Sequence, residues 1–203
     1  YINISIDGTF NESYIFNNGN MFRWDVMTSP YKVCSELKFT ISGGDAWINE
    51  IALFDKDNNY ISYTIDNPSA FAVCDEPDEV ENIPSYLNGM YFDELYHGRT
   101  AYEHLNGLNP YENSHPPLGK IFISLGIAIF GMNPFGWRIV GTVFGIIMLP
   151  ILYAFAKRLF KRSDYVLVTA GLFAFDFMHF TQTRIATIDV YSVFFVLLMY
   201  YYR

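Results

Sequence analysis

Residues 1–90 contain no histidine and only four Lys or Arg against fourteen Asp or Glu, while residues 91–203 hold nine basic against seven acidic side chains and all four histidines. Neither part has a basic patch suited to phosphate backbones, which argues against a nucleic-acid binder. Cysteine is scarce as well. Cys34 and Cys74 are the only two, and either a disulfide outside the cytosol or a pair of free thiols is open to them. No long apolar run occurs before Leu118. An initiator Met and a signal peptide are also missing, and Arg203 follows an apolar run with no helix stop, so the sequence is expected to be a segment of a longer chain. Aromatic residues, by contrast, make up 19% of the 203 residues, enough buriable surface to argue against disorder. The net charge of −8 is thus an average over an acidic half and a nearly neutral apolar half.

From Tyr1 to about Ile65 the pattern is short and β-like. Tyr1–Ile6, Met21–Val26 and Glu36–Ile41 alternate, and Trp47–Phe54 reads as a later strand. Turn clusters at Asn17–Asn20, Ser42–Asp45 and Asp55–Asn59 punctuate them at the spacing of an antiparallel β-sandwich. Residues 67–90, with Asp75, Glu76, Asp78, Glu79, Glu81 and several prolines, read as an acidic linker. Asn3-Ile-Ser5 and Asn11-Glu-Ser13 fit the N-glycosylation pattern, which carries meaning only in a eukaryotic secretory context.

Past Leu118 the chain is strongly apolar, with candidate helices at about 119–132, 136–157, 165–180 and 187–203. A span needs roughly 20 apolar residues. The first segment is shorter and stops at Asn133-Pro134, so an interfacial or re-entrant helix is expected there. The densest basic cluster, Lys157-Arg158-Leu-Phe-Lys161-Arg162, belongs in the cytoplasm by the positive-inside rule. Helix 136–157 then runs inward, 165–180 outward and 187–203 inward again, with residues 1–135 extracytoplasmic. This orientation places His115, Lys120, Arg138, Asp176, His179, Gln182, Arg184 and Asp189 at the outer face. Charge at membrane depth is costly and marks a polar cavity or function.

Three stretches could carry chemistry. In Tyr91–His104, Asp93, His97 and His104 share one helix face, and Asp93-Glu94 could supply a general base with a second, orienting carboxylate. The same two acids also suit a helix N-terminus with no further role. Glu94 and His97, one turn apart with His115 downstream, have a spacing compatible with a divalent cation, although no metal site is predicted. In His115-Pro-Pro-Leu-Gly-Lys120, two prolines lead into a helix whose first amides, with His115 and Lys120, could face an anion. A plain turn with a snorkelling lysine fits as well.

Phe92-Asp-Glu-Leu-Tyr-His-Gly-Arg99, His115-Pro-Pro-Leu-Gly-Lys120, Asn133-Pro-Phe-Gly-Trp-Arg138 and His179-Phe-Thr-Gln-Thr-Arg-Ile-Ala-Thr-Ile-Asp189 follow one another as in the protein O-mannosyltransferase-like glycosyltransferases of the glycosyltransferase C superfamily. The resemblance runs from about Tyr91 to the end. Residues 1–66 resemble, more weakly, the last part of a galactose-binding-like β-sandwich. A mixed fold follows: a β-sandwich module over 1–66, a linker over 67–90, and an all-α polytopic membrane portion over 91–203 whose external-loop helices occupy 91–134.

The resemblance implies an integral membrane enzyme that moves mannose or a similar hexose, with inversion, from a polyprenyl-phosphate carrier to an acceptor hydroxyl, often a protein Ser or Thr. It implies Asp93 as general base and Glu94 as its supporting carboxylate. His97, His115, Lys120, Arg138, Arg184 and Asp189 would contact lipid phosphate or sugar, with Arg138 and Arg184 best suited to grip a phosphate bidentately. No cofactor is predicted, with a divalent cation left open, and the expected partners are the lipid donor, a protein or glycan acceptor and the bilayer. Two other readings compete: transfer to a glycolipid or wall polymer, and a non-catalytic carbohydrate-binding protein anchored by the helices.

Overall fold

The computed structural model describes residues 1–15, 23–28, 33–44 and 48–203, and the chain divides into two compact units, Tyr1–Gly89 and Met90–Arg203. Expected features at Met21-Phe22, Asn17–Asn20, Asp45 and Trp47, and the side chain of Asn11, lie outside the described residues.

In the first unit, strands β1 (Ile2–Ile6), β2 (Thr9–Tyr14) and β3 (Leu37–Ile41) form one antiparallel sheet in the order β2-β1-β3. The β1–β2 hairpin follows from Asp7-Gly8. Both residues have positive φ, 46° and 78°, the backbone that a two-residue turn needs to match strand twist. Ile6 then pairs with Thr9, and a bulge follows between Ile4 and Ser5. Asp7 Oδ1 also accepts from the amides of Ser35 and Glu36, both at 2.8 Å, which brings β3 to the other edge of β1. As the central strand, β1 buries Ile2 and Ile6.

Trp24–Thr28 forms no strand. Ile48–Leu53 forms none either, and only an isolated bridge joins Phe54 to Tyr60 around a turn closed on Asp55. The described residues therefore show a single small sheet. Residues expected to be linker carry two 3-10 helices, Pro68–Val73 and Pro77–Glu79, and are tied back by bonds from Ile51 N to Val73 O and from Glu76 N to Glu50 Oε1. Cys34 and Cys74 are both free thiols. The side chain of Asn3 donates to Ser42 Oγ and accepts from Ser13 Oγ, so both ends of its amide are engaged.

The second unit is helical: α1 (Glu94–Leu105), α2 (Leu118–Phe130), α3 (Pro134–Leu159), α4 (Ser163–Ala174), α5 (Phe177–Gln182) and α6 (Asp189–Tyr202). Helix α1 ends at Gly107, φ 67°, where Leu108 N reaches Glu103 O and Gly107 N reaches His104 O. That is a Schellman stop, and it turns the chain into the loop toward α2. Between α2 and α3, Gly131 has φ 86° and Asn133 caps α3 through Gly136 N with Pro134 at the first helical position.

Glycines let the helices approach. A Cβ on Gly126 would overlap the carbonyl oxygen of Gly136, and one on Gly145 would strike Thr183. An aromatic cluster of Phe122, Phe144, Tyr191 and Phe194 fills the space between α2, α3 and α6, with centroids 4.7–5.1 Å apart. Each such pair contributes about 0.5–1.5 kcal/mol beyond its area burial.

Among the described residues α3 is the one helix both long and apolar enough to cross a bilayer. Its 26 residues extend about 39 Å at the usual rise, against a hydrocarbon core of about 30 Å. The helix expected over 165–180 is instead two, α4 and α5. Asp176 breaks it, because in extended conformation its carboxylate caps α5 through His179 N at 2.7 Å. Helices α2, α4 and α6 are apolar but have 13, 12 and 14 residues.

Replacing Gly126 with Ala should lower the melting temperature of the detergent-solubilised full-length protein, an overpacking cost of about 1–3 kcal/mol. Gly171→Ala, where an added Cβ meets nothing within 4 Å, is the internal control. It should be stabilising by up to about 1 kcal/mol, the helix-propensity difference.

Candidate active site

Asp93 and Glu94 are consecutive, yet the fold treats them oppositely. Glu94 is 0% exposed, and its carboxylate accepts four hydrogen bonds. Oε1 receives Arg138 Nε at 2.7 Å and the Ala186 amide at 2.8 Å, while Oε2 receives Arg138 Nη2 at 2.6 Å and the Tyr91 amide at 2.8 Å. The Arg138 pairing is bidentate, the strongest geometry for a guanidinium. Four donors suit the lone-pair capacity of an ionised carboxylate. Glu94 therefore joins the start of α1, the first turn of α3 and the loop entering α6. Thr142 reinforces the last of these by donating to Thr183 O at 2.9 Å.

Asp93, at the N-cap position of α1, is half-buried and makes no capping hydrogen bond. It enters no ion pair among the described residues. The residue before it, Phe92, sits at φ 51° with its ring exposed. That left-handed backbone is uncommon for a residue with a Cβ, and such outliers concentrate at functional sites. The turn is held by Glu94, whose side chain and backbone amide both bond to the backbone of Tyr91.

One turn along α1, His97 is 4% exposed and its Nδ1 has no hydrogen-bond partner. Burial pushes its pKa down, while the negative charge of Asp93 opposes that shift. The ring of His115 stands edge to face with His97 at 5.4 Å. His97 is thus brought beside both Asp93 and His115, whereas the spacing had grouped Asp93 and His97 with His104.

Lys120 is placed differently from a surface cation. It is 1% exposed, and its Nζ donates to Glu112 O at 2.8 Å and His115 O at 3.3 Å and pairs with the Glu112 carboxylate. Glu112 also accepts from the Ser114 amide and hydroxyl and from the His115 amide; burial pushes its carboxyl up, but Lys120 first, then Ser114 and the His115 ring, hold it far below the usual carboxylate range. A second acidic residue, Glu103, binds Arg99 Nε at 2.7 Å and the Tyr111 amide at 2.6 Å, while Arg99 lies over the Tyr111 ring at 4.0 Å. The loop between α1 and α2 is therefore anchored at both ends by carboxylates that the motifs did not single out. Their only signal in the sequence is that acids are rare in this half of the chain.

Arg184 is exposed, its guanidinium 3.7 Å from the centroid of the Phe180 ring, and it has no ion pair among the described residues. Asp189 is exposed at the first position of α6. His179 packs on Phe173 at 4.2 Å. Glu94 and His97 do not share a ligand position, since Glu94 is saturated from α3 and the α6 loop, and among the described residues no group of three His, Cys, Asp or Glu side chains is arranged to hold a metal ion.

Glu94→Gln should cost about 3–5 kcal/mol of stability, because it breaks the bidentate ion pair of a fully buried carboxylate. Melting of the full-length protein checks this, and the double change Glu94→Gln with Arg138→Met should recover part of the loss. The sign for His97 also follows. Its folded-state pKa lies below the ordinary 6.5, so the unfolded chain takes up the proton first and stability falls as pH drops below about 6.5. His97→Phe should flatten that part of a stability–pH profile.

The sequence family described as dolichyl-phosphate-mannose-protein mannosyltransferase matches residues 114–203. A polyprenol-phosphate-mannose–protein mannosyltransferase of Mycobacterium tuberculosis is 36% identical over 112 residues, 52% of this chain and 21% of that protein. Its counterpart in Mycolicibacterium smegmatis is 35% identical over 111 residues, 51% and 21% of the two chains. The one in Corynebacterium glutamicum is 37% identical over 83 residues, 40% and 16%. The chain spans about a fifth of the length of the first two of these relatives. No solved structure matches it significantly. Over residues 114–203, which begin after Asp93 and Glu94, the chain is similar to the family described as dolichyl-phosphate-mannose-protein mannosyltransferase.

Proposed function

We propose that this chain is the segment of a membrane mannosyltransferase that carries its general base, and that the whole enzyme moves mannose from a polyprenyl phosphate to a hydroxyl of an acceptor protein. The names of the relatives support the donor and the acceptor class. One observation carries the residue assignment: of two adjacent carboxylates, Glu94 is saturated by four donors, while Asp93 makes no capping hydrogen bond and enters no ion pair among the described residues.

Asp93 takes the acceptor hydroxyl's proton as that oxygen attacks the anomeric carbon. The bond from that carbon to the phosphate oxygen breaks, and the polyprenyl phosphate leaves as an anion on the opposite face, so the configuration inverts. A phosphate needs no protonation to depart, and a cation steadies its growing charge. Arg184 fits that task, exposed and without an ion pair among the described residues. Arg138 and Lys120, read from the sequence as cations for the same phosphate, are engaged by Glu94 and Glu112 and act through the architecture they hold. Asp189, exposed beside the same loop, and His97, beneath Asp93, line the approach to the sugar.

In this reading α3 crosses the bilayer with Lys157 and Arg158 at its cytoplasmic end, and the α1 region lies on the extracytoplasmic side. Residues 1–66 are read as part of a galactose-binding-like β-sandwich module, within which the described residues form one three-stranded sheet.

In membranes bearing the full-length protein, Asp93→Asn should reduce mannosyl transfer by at least about 100-fold while membrane insertion is unchanged. Arg184→Ala should raise the KM for the lipid donor, with Arg184→Lys intermediate. Labelled polyprenyl-phosphate-mannose should deliver its label to the protein fraction. Label appearing only in lipid or polymer would move the acceptor to another class, and full activity of Asp93→Asn would remove Asp93 as the base.

A further inference from the structure

His115 sits at the exit of the α1–α2 loop with its side chain 54% exposed, and its ring is not free to choose its tautomer. Nδ1 lies 3.2 Å from Glu112 Oε1 and 3.1 Å from Ser114 Oγ. Ser114 spends its single hydroxyl hydrogen on Glu112 Oε1. Both neighbours of Nδ1 can therefore only accept, so Nδ1 must carry the hydrogen. In a neutral imidazole the other nitrogen, Nε2, is then left with an exposed lone pair.

The surroundings preserve this arrangement. Glu112 is fixed in turn by the buried Lys120 at the start of α2 and by the amides of Ser114 and His115. Two prolines after His115 fix the backbone leading into α2. From α1 the ring of His97 packs against His115, with Asp93 one turn away. The charged and titratable groups facing His115 are thus Glu112 from its own loop, His97 from α1 and Lys120 from α2.

We propose that Glu112 and Ser114 are positioning residues that lock His115 as the Nδ1–H tautomer, so that Nε2 accepts a hydrogen bond from a substrate hydroxyl instead of serving as a cation for the phosphate. The proposal rests on the glycosyl-transfer reading above. The hydroxyl belongs either to the transferred sugar or to the acceptor.

The tautomer is read without turnover, by nitrogen NMR of full-length protein labelled with 15N-histidine, at a pH where the ring is neutral and with the signal assigned by its loss in His115→Gln. A protonated Nδ1 and bare Nε2 are expected. A protonated Nε2 overturns the proposal. Pairing Glu112→Ala with Lys120→Met, which leaves no buried charge alone, should release the ring toward the Nε2–H form, and an unchanged tautomer there would overturn the positioning role.

Turnover tests the acceptor role. A glutamine amide reaches the place of Nε2, so His115→Gln should stay within about tenfold of wild type, while His115→Phe and His115→Asn lose ten- to a hundredfold, the scale of one lost hydrogen bond in a site built for it. Donors lacking single sugar hydroxyls separate the two sources. If the partner is a sugar hydroxyl, the matching deoxy donor makes wild type and His115→Phe alike. If it belongs to the acceptor, the loss appears in acceptor KM with every donor. Equal activity of the Gln, Asn and Phe variants would sink the hydroxyl role. A protein with the expected tautomer that transfers sugar to nothing would instead refute the glycosyl-transfer reading and leave the ring assignment standing.

Discussion

A carboxylate with no access to water must find its full complement of donors inside the protein, and Glu94 finds them on three separate elements. Arg138 comes from the first turn of α3, the Ala186 amide from the loop before α6, and the Tyr91 amide from the turn before α1. Desolvating both charges is expensive, and only the bidentate pairing plus two amides offsets it. The site geometry follows from this one constraint. The backbone at Phe92 is bent into a left-handed conformation, and Asp93 is left beside a saturated neighbour, with no ion pair of its own among the described residues.

The same principle repeats at lower rank in the α1–α2 loop. Lys120 is buried by carbonyls and by Glu112, and Glu112 in turn aligns Ser114 and His115. Glu103 secures the loop's other end through Tyr111. Glu94, Glu103 and Glu112 each close the architecture and orient a neighbouring segment. Of the cations expected at the site, Arg184 is exposed and enters no ion pair among the described residues.

Much of this was legible in advance. Alternation marked β1 and β3, and apolar runs ending at Asn133-Pro134 and at Lys157-Arg158 bounded α2 and α3 to within a few residues. Strand β2 was missed because Thr9–Tyr14 alternates poorly, although Asp7-Gly8 before it is a strong hairpin signal. The break at Asp176 was missed because an acid inside an apolar run reads as a buried charge, when it is a helix cap. The Asp-Glu pair, His97 and His115 were picked out by residue type and spacing, Arg138 and Arg184 by the family resemblance and the expected orientation, and the division of labour among them was not.

Local chemistry alone determined that one half of this chain is acidic and β-rich, that the other is helical and apolar, and that Asp93, Glu94, His97 and His115 stand where a helix and a proline-stiffened turn would present them. These are consequences of periodicity, turn residues and composition, all readable over short windows. Which carboxylate is buried and saturated and which stays half-buried was decided only by tertiary structure. That choice depends on Arg138, 44 residues away, and on the Ala186 amide, 92 residues away, arriving at the same two oxygens, and no local pattern encodes such a meeting.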